Sequence, residues 1–409
     1  MSGLRRVYLD NNATTPVYPK AIEAILPYLR DNFGNPSSAH SQGRAARAKI
    51  SEAREIVAGA MGASPSEIFF TSGGTESDNL AVKGYAWANR KHGGGHIITS
   101  TIEHPAVLEP CKYLSKNGYE VTRVPVDAEA LVNPESVREA ITESTILVSI
   151  MSANNEVGSI QPVAEIAKIA REKGVAMHTD AVQSFLKVPF TVDELGVDLL
   201  SVSGHKVNAL KGVGALYIRK GTKMHALAHG GHHERGIRAG TENVAGIVSF
   251  GEAVRIGKAE LEKTAAHVKI LRDELERRIL ETIPFTKVNG HREKRTPGTL
   301  NMSFECVEGE ALLINLDMAG ISISTGSACS SGSLEPSHVL TSMGIPHEIV
   351  HGSLRFSFGH ENTMDDVDYV MTHLPRIINT IREISPLWDP KNQKVLTLEE
   401  VSGGAKLGH

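Results

Sequence analysis

The stretch that decides the fold covers residues 201–214 and reads Ser-Val-Ser-Gly-His-Lys-Val-Asn-Ala-Leu-Lys-Gly-Val-Gly. Apolar runs at 197–202 and 215–218 flank it, so Lys206 is predicted to lie in a turn between two strands. The small residues around Lys206 would let a ligand approach closely, as a lysine that forms a Schiff base with an aldehyde requires. The alternative for this stretch alone is a surface loop with two solvated lysines.

Length and composition indicate an ordinary globular protein with two or three domains. The chain has 409 residues, of which 41% are apolar and 22% charged, and its net charge is −4. This charge does not favour nucleic acid or a membrane surface as a partner. The first ten residues contain no long apolar run, so we expect no signal peptide, transit peptide or membrane span.

The three cysteines, Cys111, Cys306 and Cys329, are far apart and odd in number. This spacing argues against a disulfide framework and for a reducing, cytoplasmic location. Cys111 lies in a helical pattern and Cys306 follows an apolar run, so both are predicted to be structural. Cys329 lies within residues 322–333, nine of which are Ser, Thr or Gly, and no apolar periodicity would bury it. It is therefore a candidate nucleophile on an exposed loop.

From residue 68 onward, short apolar runs alternate with helical patterns. This alternation predicts an α/β protein with a seven-stranded, mostly parallel sheet that has helices on both faces. The seven predicted strands are 68–70, 96–99, 121–126, 146–151, 175–178, 199–202 and 215–218.

Polar clusters follow five of these strands, and ligands of such sheets bind beyond the carboxyl ends of the strands. The five clusters are therefore predicted to meet at one crevice. They cover residues 71–79, 100–105, 152–158, 179–183 and 203–206.

A long helical pattern at 244–280 separates this region from a smaller α+β unit, in which residues 321–324 are predicted to form one strand. We predict a large α/β domain over 16–260. The segments 1–15 and 261–395 are predicted to form a small domain that carries the Cys329 loop. Residues 396–409 are predicted to be a disordered tail.

Several candidate residues allow two interpretations each. Gly74 and Thr75 open a helix and suit a phosphate, but Thr75 and Asp78 also match a capping box. Asp180 either pairs with a protonated ring nitrogen or caps a helix. His104 either caps a helix or stacks on a flat ring and moves protons.

Two further sequence features also allow more than one interpretation. Strand alternation puts Arg355 on the face opposite Leu354 and Phe356, where it either binds a carboxylate or forms an internal ion pair. The histidines between 225 and 233 invite a metal site, but no carboxylate pattern accompanies them, so no intrinsic metal is expected.

With these residues in order, the chain resembles the NifS/IscS-type cysteine desulfurases, which are fold-type I enzymes that use pyridoxal phosphate (PLP). The resemblance runs from residue 8 to residue 388, nearly the whole chain. The motifs that carry it are 8–16, 71–79, 103–104, 154–156, Asp180 with Gln183, 203–206, 233–235 with 240–241, and 325–329.

The resemblance implies a role for each matching residue. It implies that Lys206 is the Schiff-base lysine and proton acceptor, and that Cys329 takes the sulfur of L-cysteine as a persulfide. Cys329 could also ligate a transient iron–sulfur cluster. The other implied roles are phosphate binding by Gly74, Thr75, Ser203, His205 and, from a second subunit, Thr241; contact with the ring by His104, Asn155, Asp180 and Gln183; and binding of the substrate carboxylate by Asn155 and Arg355.

The resemblance also implies a homodimer that delivers sulfur to an IscU/NifU-like scaffold for iron–sulfur cluster assembly, or to other acceptors such as a tRNA-thiolation relay. Two positions depart from the family pattern: Leu210 replaces a proline and Ala239 replaces a serine. Two alternatives remain open. One is a selenocysteine lyase or another PLP enzyme, and the other is a catalytically silent sulfur-carrier-binding scaffold on the same fold.

Overall fold

A computed structural model describes residues 5–91, 94–325 and 336–396. Cys329 and nearly all of the predicted tail lie outside these residues. The strands, in chain order, are β1 Val7–Tyr8, β2 Ile68–Thr71, β3 His96–Ser100, β4 Glu120–Val124, β5 Thr145–Ser149, β6 Ala176–Asp180, β7 Leu199–Ser203, β8 Gly214–Ile218, β9 Thr286–Asn289, β10 Thr299–Phe304, β11 Ile321–Ser322, β12 Ser324–Thr325, β13 Ser353–Ser357, β14 Trp388–Asp389 and β15 Lys394–Val395.

Helices alternate with the central strands. A π-helical turn, Leu80–Gly84, joins α3 to α4, and short 3-10 turns cover Pro65–Glu67, Gly204–Lys206 and His233–Gly236. The α-helices are α1 Pro19–Arg30, α2 Ser41–Met61, α3 Gly74–Asn79, α4 Tyr85–Ala88, α5 Pro105–Ser115, α6 Pro134–Ala140, α7 Val163–Glu172, α8 Val192–Leu195, α9 Val244–Thr282, α10 Gly309–Met318, α11 His338–Ser342, α12 His347–Val350 and α13 Met364–Glu383.

All seven predicted strands form one sheet, with the order β2-β8-β7-β6-β5-β3-β4. The five strands from β7 to β4 are parallel, whereas β8 is antiparallel to both of its neighbours. Only residues 204–213 connect β7 to β8, and a parallel crossover needs about a dozen residues or more. The turn that holds Lys206 therefore reverses the chain direction.

The sheet is buried on both faces, which explains why its strands are apolar runs rather than alternating patterns. Neighbouring residues of one strand pack in different cores: Ile98 lies in a core with Phe70 and Leu200, whereas Ile97 lies in a core with Phe69. Successive side chains of a strand point to opposite faces, so helices on both sides supply the two cores.

Helix α9, 39 residues long, connects two hydrophobic cores. Phe250 and Val254 pack in the core of the large sheet, whereas Leu271 and Leu275 pack with the C-terminal strands and helices. The predicted domain boundary at residue 260 falls inside this helix.

The C-terminal region contains a four-stranded antiparallel sheet in the order β12-β13-β10-β9. The strand predicted at 321–324 is divided between two sheets, which corrects that prediction. Ile321–Ser322 pairs in parallel with β1, and Ser324–Thr325 pairs with β13. The strand with which the chain pairs changes at Ile323, so one apolar stretch contributes to two sheets.

No helix among the described residues is both long and apolar enough to cross a membrane. Within the same part of the chain, no three His, Cys, Asp or Glu side chains are grouped to hold a metal ion. Cys111 is buried and Cys306 is partly buried, and both are free thiols.

Candidate active site

Lys206 ends the short turn that follows β7. Its Nζ donates hydrogen bonds to the carbonyl oxygens of Asn12 (2.5 Å) and Ala13 (2.8 Å). Thr15 holds the turn from the N-terminal segment, because its N–H donates to the carbonyl of His205 and its hydroxyl accepts from the N–H of Asn208. The residues before α1 therefore determine where the lysine lies.

Leu210, which replaces a proline of the family motif, uses the N–H that a proline would lack. This N–H donates to the Oγ of Ser249 at 3.1 Å, which joins the Lys206 turn to helix α9. The departure thus exchanges a rigid φ angle for one additional hydrogen bond.

A cradle of small residues lies where β2 leads into α3. A Cβ added to Gly74 would lie 2.9 Å from Cγ2 of Val182 and 3.5 Å from Cβ of Ser203. The Oγ of Ser203 is buried and has no hydrogen-bond partner among the described residues. Free backbone N–H groups at a helix start and an unpaired hydroxyl suit an anion such as phosphate.

The capping box considered for Thr75 and Asp78 does not form. The N-cap of α3 is Gly73, which has no side chain to accept a hydrogen bond, and Thr75 is exposed. Asp78 is buried instead, 3.6 Å from Nε2 of His178. Burial, followed by the charge of Asp180, raises the pKa of Asp78 well above its usual range.

Asp180 ends β6 and is buried. Its Oδ1 accepts a hydrogen bond from the N–H of Val182 at 2.9 Å, but the next helix begins only at Val192, so Asp180 does not cap a helix. Burial raises the pKa of Asp180, and the positive charge of Lys206 opposes this shift. A buried carboxylate next to a cationic group is well placed to accept from a protonated ring nitrogen.

Gln183 belongs to a network that sequence reasoning found only in part. Its Nε2 donates to the carbonyl oxygen of Asn12 at 2.9 Å, and its Oε1 accepts from Nζ of Lys187 at 2.9 Å. Nζ of Lys187 also donates to Oδ1 of Asn12 at 3.2 Å. Lys187 follows Gln183 by four residues, but nothing in its own neighbourhood indicated a partner in the N-terminal segment.

His104 is the N-cap of α5, and its Nδ1 accepts from the N–H of Ala106 at 3.1 Å. The capping interpretation is therefore confirmed, whereas stacking on a ring stays a prediction. Burial, and then the positive charge of Lys206, lower the pKa of His104 to about 4. The imidazole is neutral at pH 7 and its proton is on Nε2.

His205 lies beside Lys206 and faces the N-terminal segment. Its Nδ1 is 3.2 Å from Oγ1 of Thr14. Burial, and then the charges of Lys206 and Lys211, lower the pKa of His205 to about 4. His205 is thus a neutral hydrogen-bonding group rather than a cation.

Arg355 is buried in β13, and the internal ion pair considered for it is present. Its Nη2 is 2.7 Å from Oδ1 of Asp10, and its Nη1 donates to the carbonyl oxygen of Asn155 at 3.0 Å. Its Nε has no partner among the described residues. The guanidinium therefore keeps donor capacity for a second carboxylate, and Asp10 is a neighbour that sequence reasoning missed.

Glu103, next to His104, is a buried carboxyl that lies close to the site. Its Oε1 accepts from Oγ of Ser100 at 2.6 Å and from the N–H of Met151 at 3.0 Å. Burial raises the pKa of Glu103 to about 8. This carboxyl is therefore largely protonated at neutral pH.

Two predicted site residues are not brought to the others by the described contacts. Thr241 is exposed on the loop between Gly236 and α9, and Cys329 lies outside the described residues. A small cavity of about 70 Å³ adjoins Lys206 on the side of Asn12 and Lys187. It is too small for a cofactor and shares only Lys206 with the predicted site residues.

Comparison with known proteins identifies the family of the chain. The family model of the class-V aminotransferases matches residues 7–370. The chain is 53% identical to "Cysteine desulfurase IscS" of Dictyoglomus turgidum over 93% of this chain and 97% of that protein. It is also 53% identical to the protein of the same name from Methanosarcina thermophila, over 96% of each chain.

Solved structures show the same similarity. A "NifS-like protein" superposes with a TM-score of 0.87 at 42% identity, covering 92% of this chain and all of the other. A structure described as "SspA in complex with cysteine" superposes with a TM-score of 0.77 at 38% identity, covering 87% of this chain and 100% of the other. The chain therefore belongs to the class-V aminotransferase family and, within it, to the cysteine desulfurases.

Proposed function

We propose that the protein is a PLP-dependent enzyme that converts L-cysteine to L-alanine and transfers the sulfur to Cys329. The observation that carries the proposal is the arrangement of half-buried Lys206 with buried Asp180 and Ser203 at neighbouring strand ends, in a chain that is 53% identical to named cysteine desulfurases. A structure 38% identical to this chain is described as a complex with cysteine, which supports the same substrate.

The residues present fit pyridoxal phosphate. The unpaired Oγ of Ser203 and the cradle at Gly74 suit its phosphate, and buried Asp180 suits its ring nitrogen. Lys206 supplies the amine for the covalent bond. When bound, the cofactor supplies an electron sink that stabilises negative charge at the substrate Cα.

Other residues complete the cofactor site in this proposal. Thr75 and His205 bind the phosphate with Ser203, and in a homodimer Thr241 of the partner subunit adds a contact. The exposure of Thr241 is compatible with such a role. His104 would stack on the ring, and Asn155 and Gln183 would contact it.

Proton transfer is assigned to Lys206, whose Nζ takes the proton from the substrate Cα. The neutral imidazole of His104, with its Nδ1 engaged by Ala106, can pass a proton through Nε2. Arg355 and Asn155 bind the substrate carboxylate. The ion pair of Arg355 with Asp10 orients the guanidinium before the substrate arrives.

In the sulfur transfer, the thiolate of Cys329 attacks the substrate sulfur. The new S–S bond leaves a persulfide on Cys329, and the C–S bond breaks with its electron pair remaining on the three-carbon fragment, which takes up protons to become alanine. We propose that the persulfide sulfur passes to an IscU/NifU-like scaffold for iron–sulfur cluster assembly, and that the enzyme works as a cytoplasmic homodimer.

The test uses the variant Cys329→Ala with L-cysteine as substrate and a matched control, Cys306→Ala, which removes a partly buried thiol elsewhere. We expect Cys329→Ala to keep the visible absorption of bound cofactor but to lose sulfide and alanine production. Cys306→Ala should keep both activities. Full desulfurase activity in Cys329→Ala would contradict the proposal, and selenide release from selenocysteine in that variant would favour a selenocysteine lyase.

A further inference from the structure

Lys187 is a half-buried lysine to which the proposed chemistry gives no role. It lies in the turn segment after β6, four residues beyond Gln183. Its Nζ donates to two side-chain amides, to Oε1 of Gln183 at 2.9 Å and to Oδ1 of Asn12 at 3.2 Å. An ammonium group has only donors, so its two partners must present their oxygens to it.

This requirement determines how both amides are oriented. Because Oε1 of Gln183 faces Lys187, its Nε2 faces the carbonyl oxygen of Asn12 at 2.9 Å. Because Oδ1 of Asn12 faces Lys187, its Nδ2 donates to the carbonyl of Asn155 at 3.2 Å and to Oγ1 of Thr299 at 2.9 Å. The carbonyl oxygens of Asn12 and Asn155 require donors on the other side, so the cation and these carbonyls favour the same orientation of both amides.

The same network reaches Lys206. The carbonyl oxygen of Asn12, which accepts from Gln183, also accepts from Nζ of Lys206 at 2.5 Å. Asn12 therefore contacts both lysines: its Oδ1 accepts from Lys187 and its carbonyl oxygen accepts from Lys206. Burial, and then the positive charges of Lys206 and Arg355, lower the pKa of Lys187 to about 7.

We propose that Lys187 is a positioning residue that holds the side chains of Gln183 and Asn12 in place beside Lys206, and that Lys187, while it is protonated, facilitates loss of the proton from the Lys206 nitrogen. The inference rests on the proposed function. A neighbouring positive charge disfavours protonation of the Lys206 nitrogen, so removing it raises the pH at which that nitrogen loses its proton.

The test compares cofactor-loaded Lys187→Met and Lys187→Arg with the wild-type protein. The readout is the midpoint of the change of visible absorption with pH, because this absorption follows the protonation of the nitrogen of Lys206. We expect the midpoint to rise by about 1 pH unit in Lys187→Met. Lys187→Arg keeps the charge and the donors, and it should restore the midpoint.

The matched control is Lys83→Met. Lys83 is also partly buried, but its ammonium contacts the rings of Trp87 and Tyr113, and it lies outside the site. This variant should keep the wild-type midpoint. If Lys187 were only structural, Lys187→Met would lower the unfolding temperature and leave the midpoint unchanged, which would overturn the proposal.

A second variant, Lys187→Gln, covers the case in which Lys187→Met does not fold. Glutamine is close to lysine in length and keeps a donor but loses the charge, so the midpoint should rise as in Lys187→Met. An unshifted midpoint in a folded Lys187→Gln variant contradicts the inference. A wild-type protein that binds no pyridoxal phosphate refutes the proposed function itself, so the two failures are distinguishable.

Discussion

Replacing Gly74 by alanine tests the proposed phosphate cradle directly. The backbone of Gly74 is outside the left-handed region, so alanine introduces no backbone strain there. Its methyl group, however, would lie 2.9 Å from Cγ2 of Val182 and 3.5 Å from Cβ of Ser203. The methyl group therefore narrows the cradle beside Cβ of Ser203 and moves Val182 outward.

The magnitude follows from the contacts that the methyl group blocks. A hydrogen bond to a charged group contributes about 1.5–3 kcal/mol. Each 1.4 kcal/mol is a tenfold change in affinity, so losing one phosphate contact should weaken cofactor binding about 10-fold to 100-fold. Overpacking against Val182 should lower the stability of the apoprotein by only about 1 kcal/mol.

The assay is equilibrium binding of pyridoxal phosphate to the apoprotein, followed by absorption, with unfolding temperature measured in parallel. Gly59→Ala is the matched control, because a Cβ at this exposed helical position meets nothing within 4 Å. It should bind the cofactor like the wild type and be stabilised by up to about 1 kcal/mol. A Gly74→Ala variant that binds within about threefold of the wild type would refute the assignment of the cradle.

Three further substitutions test the surroundings of the site. The raised pKa of Glu103, from 4.5 to about 8, means that the folded protein holds a proton that the unfolded chain releases, so stability is lost as pH rises between these values. Glu103→Gln should remove up to about 5 kcal/mol of this loss. The free energy of unfolding in urea should then depend less steeply on pH, and an unchanged dependence would contradict the raised pKa of Glu103. Glu234→Gln breaks the buried bidentate pair with Arg54, at 2.6 and 2.7 Å, and should cost about 3 kcal/mol in denaturant unfolding; a loss below about 1 kcal/mol would mean that the pair is not buried in solution. Leu210→Pro removes the hydrogen bond to Ser249 and should lower stability by about 1 kcal/mol while keeping the visible absorption of bound cofactor, and a stabilised variant would show that the hydrogen bond contributes less than the rigidity of proline.

The central sheet could be predicted from the sequence because its strands are buried on both faces. Burial requires continuous apolar runs, and these runs stand out between amphipathic helices. The antiparallel direction of β8 was not predicted, and neither was the division of 321–324 between two sheets. The short connection between β7 and β8 accounts for the first, whereas the second depends on which strand the chain meets next, a choice that an apolar run does not encode.

The strand-end part of the candidate site was also predictable. Asp180 and Ser203 each end a strand of the parallel set, and the carboxyl ends of parallel strands share one edge of the sheet. His104 and Lys206 follow strand ends by a few residues. Their approximate places follow from topology alone.

The partners of these residues were not predictable. Asn12 contacts Gln183 and Lys206, which are 171 and 194 residues further along the chain, and Asp10 meets Arg355 across 345 residues. Neither contact leaves a periodic pattern in the sequence, because a hydrogen bond between distant segments imposes no spacing on either.

The sequence by itself determined the order of strands and helices along the chain, the lysine turn and the polar residues at the strand ends, because local burial and turn chemistry are encoded in neighbouring residues. Only the tertiary structure decided the ionisation of those residues and the groups that orient them. Burial lowers the pKa of His104 to about 4 and raises that of Glu103 to about 8. Packing of the N-terminal segment against the segment after β6 also places Lys187 beside Asn12. Desolvation and charge proximity depend on packing between distant segments, which no local stretch of sequence contains.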